Sequence, residues 1–572
     1  MTDSRIGEKP RRIARFMPIL EWGPKYERRW WRADLVAGIA VAALVVPKSL
    51  GYAAIAGVPI QHGLYAAAAG TIIYALFGTA KQISTGPSSA LAAVAGSAVL
   101  LASVSGADAV ALVSAITLLT GVLFILLALF KMGWISQFLS KAVITGFLFG
   151  AAIEVVIGEL AKLTGTSIEG SNSWQKLYSW LGSLPDIHGA TLLLGLVSLA
   201  VIIAIRFSPI KVPGALVLVV GGLAVSVLFD LGELGIALVG DVPRGFAGIA
   251  LPDLDFVVDN IAVIGPAALG LLLIGFSQTA GDARSFAAKH RYRVDINQES
   301  VAQGMANVGS GLLQGIPVST SLSASSLNDE SGAKTPVASL TTGVLIVLTL
   351  LFLAPLFADL PKTVLAALII DAVVFGMMDV AEMKRLYRVT RVDFWIAIAA
   401  ILGVLSAGVL AGVMIGVVLS VGWLVYVSAT PNMPVLGRRS GTQVFRSTVE
   451  YPDGETYPGL LVMRFDAGLH FGSSDALEDR LRELAEGADP ALHTVVIDFE
   501  GVNFIDSQGS DKVSQLLDLA EPAGIELRLA RVKPHVRALL QRDGVIDKLG
   551  EDKVYDNVYN AAEDLIAKAE GS

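Results

Sequence analysis

"TGPSSALAAVAG" (residues 85–96) and "TSLSASSLNDESG" (residues 320–332) both sit among long apolar stretches, and both begin with hydroxyls where a membrane span would carry leucine. Their surroundings set the fold class. Of 572 residues, 53% are hydrophobic and 16% are charged, and apolar runs of membrane-spanning length recur from about residue 33 to about residue 428. Such runs read as transmembrane helices. In lipid every backbone polar group must be satisfied internally, so only helices or a closed barrel can span. The runs are too long and alternate too poorly for barrel strands. The 58 glycines suit close helix approach.

The apolar segments fall at about 33–46, 62–78, 87–102, 109–130, 141–161, 190–206, 212–229, 261–283, 297–314, 321–330, 337–354, 361–376, 392–408 and 409–428. The third and tenth are short. Loop charge fixes an orientation. With a basic N-terminus in the cytoplasm, the connections after even-numbered spans face the same side. Those connections carry Lys131 and Lys141, then Arg206 and Lys211, then Arg284, Lys289, Arg291 and Arg293, then Lys384, Arg385, Arg388 and Arg391. The connection after the seventh span is acidic instead, with Asp230, Glu233, Asp241, Asp253, Asp255 and Asp259. An even count places the C-terminal region in the cytoplasm too.

Fourteen divides into two halves of seven, and an odd number per half inverts the second half. The third span of each half is the one that starts on hydroxyls. Matching interrupted segments in inverted halves point to a transporter's midplane site. A helix that begins inside the membrane leaves its first N–H groups unpartnered. Two such ends facing one cavity attract an anion. The bland alternative is a pair of small-residue packing windows.

The last 135 residues differ. From Arg438 onward 25 acids face 15 basic residues, a net of −10 in a chain of net −8. The division is therefore an N-terminal cytoplasmic region (1–32), a transmembrane domain (33–430), a linker (431–455) and a soluble domain (456–572). The first 32 residues hold nine Lys/Arg and four acids with no short apolar core, which does not read as a cleaved signal peptide. With no cysteine, disulfides and thiolate metal sites are excluded.

"VPKSLGYAAIAGVPIQHGLYAAAAGTIIYALFGTAKQISTGPSSA" (46–90) resembles the signature of the sulfate permease (SulP) family of anion transporters. "RSFAAKHRYRVDINQESVAQGMANVGSGLLQGIPVSTSLSASSLN" (284–328) resembles that family's second hallmark, and the C-terminal domain resembles STAS. The resemblance implies an α-helical polytopic membrane protein of 14 spans in two inverted seven-span repeats with core and gate domains, plus a cytoplasmic α/β STAS domain. It implies a substrate between the third and tenth spans, and a homodimer. Carried over by motif, the site positions are Pro47, Lys48 and Tyr52, Ser88 and Ser89, Ser323, Ala324 and Ser325, and Gln278. Many members have Gln where this chain has Lys48, Arg where it has Ala324, and Glu where it has Gln278.

Lys48 lies between "ALVVP" and "SLGYA". A mid-membrane charge costs roughly 2.5–3.5 kcal/mol on insertion scales, so it faces a cavity or a partner. Lys48 either replaces the missing arginine beside the anion or snorkels and pairs with an acid. Pro47 is expected to break the first helix and free backbone groups for the site. Asp282 follows Gln278 by four residues, on the same helix face. It either inherits the coupling-ion role of the usual glutamate or is a solvated acid at the cytoplasmic end of its span, near Arg284. Among the other membrane acids, Glu154, Glu159 and Asp371, the first and last read as interhelical hydrogen-bonding groups. Asp295 opens "DINQ" as a capping box.

In the soluble domain "GLLVMRF" (459–465), "HTVVIDF" (493–499) and "IELRLA" (525–530) read as strands. "SDALEDRLRELAEG" (474–487) and the segment after Gly509 read as helices. "FIDSQGSD" (504–511) matches the STAS loop that carries a phosphorylated hydroxyl in anti-sigma-factor antagonists. Here Gln508 replaces one hydroxyl and Ser507 remains, which favours a packing and dimerisation module over a phosphoswitch.

No Walker lysine loop, His/acid metal cluster or nucleophile elbow is present, so no enzyme, cofactor or nucleic-acid partner is expected. The expected function is secondary transport of a small anion (sulfate, bicarbonate, chloride or a small carboxylate). It would proceed by H+ or Na+ symport or by exchange, in the plasma membrane. The alternatives are a nucleobase symporter of similar fold and a non-transporting STAS-linked sensor.

Overall fold

A computed structural model of the chain describes residues 16–131, 140–170, 172–209, 213–488 and 491–570. Lys211 lies outside them. The chain divides into two compact units, Met1–Ser420 and Val421–Ser572.

In the first half, α1 runs Trp31–Ile55, α2 Gln61–Phe77, α3 Ser89–Ala102, α4 Gly106–Leu129, α5 Lys141–Thr164, α6 Gly189–Phe207 and α7 Gly214–Phe229. In the second, α8 runs Ile261–His290, α9 Ile296–Leu312, α10 Leu322–Glu330, α11 Val337–Leu348, α12 Lys362–Met377, α13 Arg391–Ala407 and α14 Val409–Ala429. Each apolar segment read from the sequence is thus a helix. Among the described residues, eight helical stretches are long and apolar enough to cross a membrane alone. α3 has 14 residues and α10 has 9. At 1.5 Å per residue these reach only about 21 and 14 Å, well short of a ~30 Å hydrocarbon core.

The halves repeat one plan. A three-residue strand precedes each short helix: β1 (Thr85–Pro87) leads into α3, and β2 (Val318–Thr320) leads into α10. A short amphipathic helix stands between the fifth and sixth span of each half, Ser173–Gly182 and Val380–Val389, capped by Asn172 and Asp379. Both are too short and polar to register as spans. The main packing forms two bundles. In one, α9 lies on α4 and α2, α11 on α1 and α2, and α8 on α4 and α3. In the other, α13 and α12 pack on α5, and α6 on α12 and α7. Glycine allows the closest approach: a Cβ on Gly121 of α4 would stand 2.8 Å from the Gly304 carbonyl oxygen of α9.

Two local expectations, for Pro47 and Asp295, resolve differently. Pro47 does not break its helix, because α1 continues from Trp31 to Ile55 with Pro47 buried inside it. Pro47 removes only its own N–H donor, and the packed neighbours hold the helix together. Asp282 lies within α8, which continues past it to His290. Asp295 does cap α9, accepting from the Asn297 and Gln298 amides at 3.0 and 3.3 Å. The reciprocal half of the box is missing. The Gln298 side chain instead donates to the Phe16 and Phe77 carbonyls.

The second unit holds a parallel sheet of β3 (Leu460–Arg464), β4 (Thr494–Asp498), β5 (Glu526–Ala530) and the edge strand β6 (Val554–Tyr555), in that order. Helices Ser474–Glu486 and Ser507–Ala520 pack on it, the latter capped by Asp506, which accepts from the Gly509 amide at 2.8 Å. Ser507 and Gln508 are exposed. Residues 431–455 contain a hairpin, Leu436–Arg438 against Phe445–Ser447, and Leu436 is buried in the unit's core.

Candidate functional site

β1 and β2 pair antiparallel, with Thr85 opposite Thr320, Gly86 opposite Ser319 and Pro87 opposite Val318. Because α3 and α10 begin directly after these strands, the pairing brings their N-termini to one place. Ser88 is the N-cap of α3 and accepts from the Leu91 amide at 3.4 Å. Ser321 caps α10 in the same way through the Ala324 amide at 3.4 Å, and its own amide donates to the Ser84 carbonyl at 3.0 Å. Ser88, Ser89 and Ala90 at the start of α3, and Ser321, Leu322 and Ser323 at the start of α10, line one cavity of about 580 Å³.

Lys48, Tyr52, Ser88, Ser89, Gln278, Asp282 and Ser323 all line this cavity. Lys48 Nζ donates to Ser323 Oγ at 3.4 Å. Among the described residues no acid forms an ion pair with Lys48. Tyr52 and Ser89 stand beside one another on the cavity wall. On α8, Gln278 Oε1 accepts from Ser319 Oγ at 2.7 Å and Asp282 Oδ2 from Thr320 Oγ1 at 2.8 Å. The four-residue spacing thus ties α8 to the last two residues of β2 while Asp282 stays on the cavity wall. Ala324 lines a smaller adjoining cavity, again beside Lys48.

Ser325 is not brought to the site. It is fully buried, and its Oγ accepts from the Ser84 amide at 2.9 Å. Ser326 lines the cavity in its place. At about 100° per residue, Ser325 lies roughly 200° around α10 from Ser323, whereas Ser326 returns to the same side.

The sequence reading also missed Arg206, taken there as a loop charge. It lines the cavity from α6 and pairs with Asp371 of α12, Nε to Oδ1 at 2.9 Å and Nη2 to Oδ2 at 2.6 Å. Asp371 therefore bonds between helices, as expected. Glu159 pairs with Lys162 at 2.7 Å, away from this cavity. Glu154 keeps one buried carboxylate oxygen without a hydrogen-bond partner. Two acids that no motif marked fasten the first bundle. Glu299 accepts from Tyr74 and from the Thr79 and Ala80 amides, and Asp34 from Thr335 and the Lys334 amide. No group of three or more His, Asp or Glu among the described residues is placed to hold a metal.

Among the described residues, the cavity thus combines two helix N-termini, six serine or tyrosine hydroxyls, one ammonium without an ion-pair partner and one ion pair. Each partial helix charge contributes about 0.3–1 kcal/mol toward an anion, and the ammonium adds to it in a poorly solvated space. Inverted halves with broken third helices define a membrane transporter of the alternating-repeat class.

The chain belongs to the sulfate permease family. The Sulfate permease family model matches residues 31–400 and the STAS domain model residues 451–561. The chain is 33% identical over 544 residues to the "Probable sulfate transporter MT1781" of Mycobacterium tuberculosis, covering 93% of this chain and 96% of that one. It is 29% identical to the "Probable sulfate transporter 4.2" of Arabidopsis thaliana, over 96% of this chain and 84% of that one. In fold it is similar to the murine Slc26a9 anion transporter in the inward-facing state, with a TM-score of 0.87 at 21% identity, covering 100% of this chain and 97% of that one.

Proposed function

We propose that the chain is a secondary active transporter of a small anion, with sulfate the first candidate. The relatives named as sulfate transporters support that choice. Bicarbonate, chloride and small carboxylates share the required charge and size. The observation that carries the reading is the β1–β2 pairing, which brings two helix starts to one cavity beside Lys48, an ammonium with no ion-pair partner among the described residues.

In this reading the anion lies between the α3 and α10 N-termini. Lys48 supplies charge, and Ser88, Ser89, Ser323 and Tyr52 supply hydroxyl donors. The small side chain of Ala324 leaves room. Ser325 acts indirectly, by holding Ser84 and hence β1. Gln278 orients Ser319, and Asp282 takes the coupling H+ or Na+. The cavity reaches Arg206 and Met377, near the ends of α6 and α12, which the loop charges assign to the cytoplasm. The protein is then open inward, in the plasma membrane, with both termini and the STAS domain cytoplasmic, and it functions as a homodimer.

The test is uptake of radiolabelled sulfate into proteoliposomes, with bicarbonate, chloride and dicarboxylates as competitors. An inward proton gradient should accelerate uptake. Asp282→Asn should lose that acceleration while retaining sulfate exchange. If none of these anions is transported, the reading fails.

A further inference from the structure

The cavity wall opposite α3 and α10 belongs to the second bundle, and its cation is only half committed. Arg206 has five N–H donors, of which two go to Asp371. Its side chain remains 38% exposed, whereas Asp371 is 8% exposed. The guanidinium carbon also lies 4.3 Å from the Phe375 ring centroid, so the flat cation is braced on one side and open on the other. The acid is hidden behind the arginine, and the arginine faces the cavity.

We propose that Arg206 is a second anion-binding cation of this cavity and that Asp371 meters its strength. The proposal rests on the anion reading above. A passing anion meets unused N–H donors on a guanidinium whose charge Asp371 already offsets. It gains directional hydrogen bonds without a full unpaired charge to hold it. Lys48, which no acid among the described residues pairs directly and which feels Asp371 only through space, is the cation that retains the anion. The two also sit on different bundles: Lys48, Ser88 and Ser323 on the first, Arg206 and Asp371 on the second. Any movement of one bundle against the other separates the anion from Arg206, so Arg206 acts on one face of the membrane only.

The test is equilibrium binding of radiolabelled sulfate to the purified full-length protein, with melting temperature measured alongside. Asp371→Asn keeps a hydrogen-bond acceptor for Arg206 but removes the offsetting charge. It should tighten sulfate binding threefold or more and steepen its loss with added salt. Arg206→Gln with Asp371→Asn should abolish that gain and bind about threefold more weakly than the parent. Where Asp371→Asn alone does not fold, this neutral pair compared with the parent decides the matter. A mere tether between α6 and α12 predicts a lower melting temperature with sulfate affinity unchanged or weakened in Asp371→Asn, and that result overturns the proposal. If the parent binds sulfate and neither variant shifts the affinity, Arg206 is not an anion-binding cation of this cavity and the proposal is overturned. If the parent binds no sulfate, bicarbonate or chloride, the anion reading fails and takes this proposal with it.

Discussion

Gly86 lies directly opposite Ser319 in the two-strand ladder that joins the halves of the repeat. All three residues of each strand are buried. The ladder sets the register between the two short helices, so anything that loosens it moves one helix start away from the other. The hydroxyls around it divide accordingly into those that hold the ladder and those that face the ligand.

Ser325 and Ser323 separate these roles two residues apart. Ser325→Ala leaves the buried Ser84 amide without its acceptor, which costs about 1–3 kcal/mol. A lower melting temperature is expected, with sulfate affinity changed little. Ser323→Ala, at an exposed cavity position, should leave the melting temperature nearly unchanged and weaken sulfate binding severalfold. Calorimetric binding with parallel thermal denaturation checks both, and the opposite assignment of effects would refute the division.

Lys48→Gln removes the cavity cation that, among the described residues, has no ion-pair partner. Sulfate affinity should fall about tenfold or more, a loss of about 1.4 kcal/mol or more. Adding Ala324→Arg puts a guanidinium one residue along from Ser323 and should recover part of that loss. Lys48→Arg is expected to rescue incompletely, because the planar fork is wider than an ammonium. Concentration-dependent sulfate uptake is the measurement. Parent-like affinity in Lys48→Gln would show that Lys48 is not the site cation.

The soluble unit should be more stable when it starts at residue 431 than at residue 456. The longer fragment keeps the hairpin and buries Leu436, which is 2% exposed. Burying one leucine contributes roughly 1.5–3 kcal/mol. Urea unfolding of the two fragments, followed by circular dichroism, should show the longer one unfolding at the higher midpoint. Equal midpoints would show that the hairpin adds nothing.

Span positions were legible because long apolar runs have few other uses; most helices match their runs closely, while α1 and α8 run nine and seven residues further. The two short helices were legible for the opposite reason, as hydroxyls in a place that should be greasy. Ser173–Gly182 and Val380–Val389 were not, since their alternation of polar and apolar residues is too brief to stand out. Ser325 was assigned to the site by motif adjacency, and helical phase turned it away. Arg206 was hidden by its position at the end of an apolar run, where a basic residue is read as topology. Its acid, Asp371, lies 165 residues further on, and only the packing of α6 on α12 joins them.

The central claim, an anion held between the starts of α3 and α10, is tested most directly with selenate. Crystals of the full-length protein grown with selenate in place of sulfate, measured at the selenium edge, would locate the ion by anomalous scattering. The account predicts one strong peak within hydrogen-bonding distance of Ser88 or Ser89 and of Ser323, beside Lys48 Nζ. An ordered selenate elsewhere in the membrane unit, with this cavity empty, would contradict it.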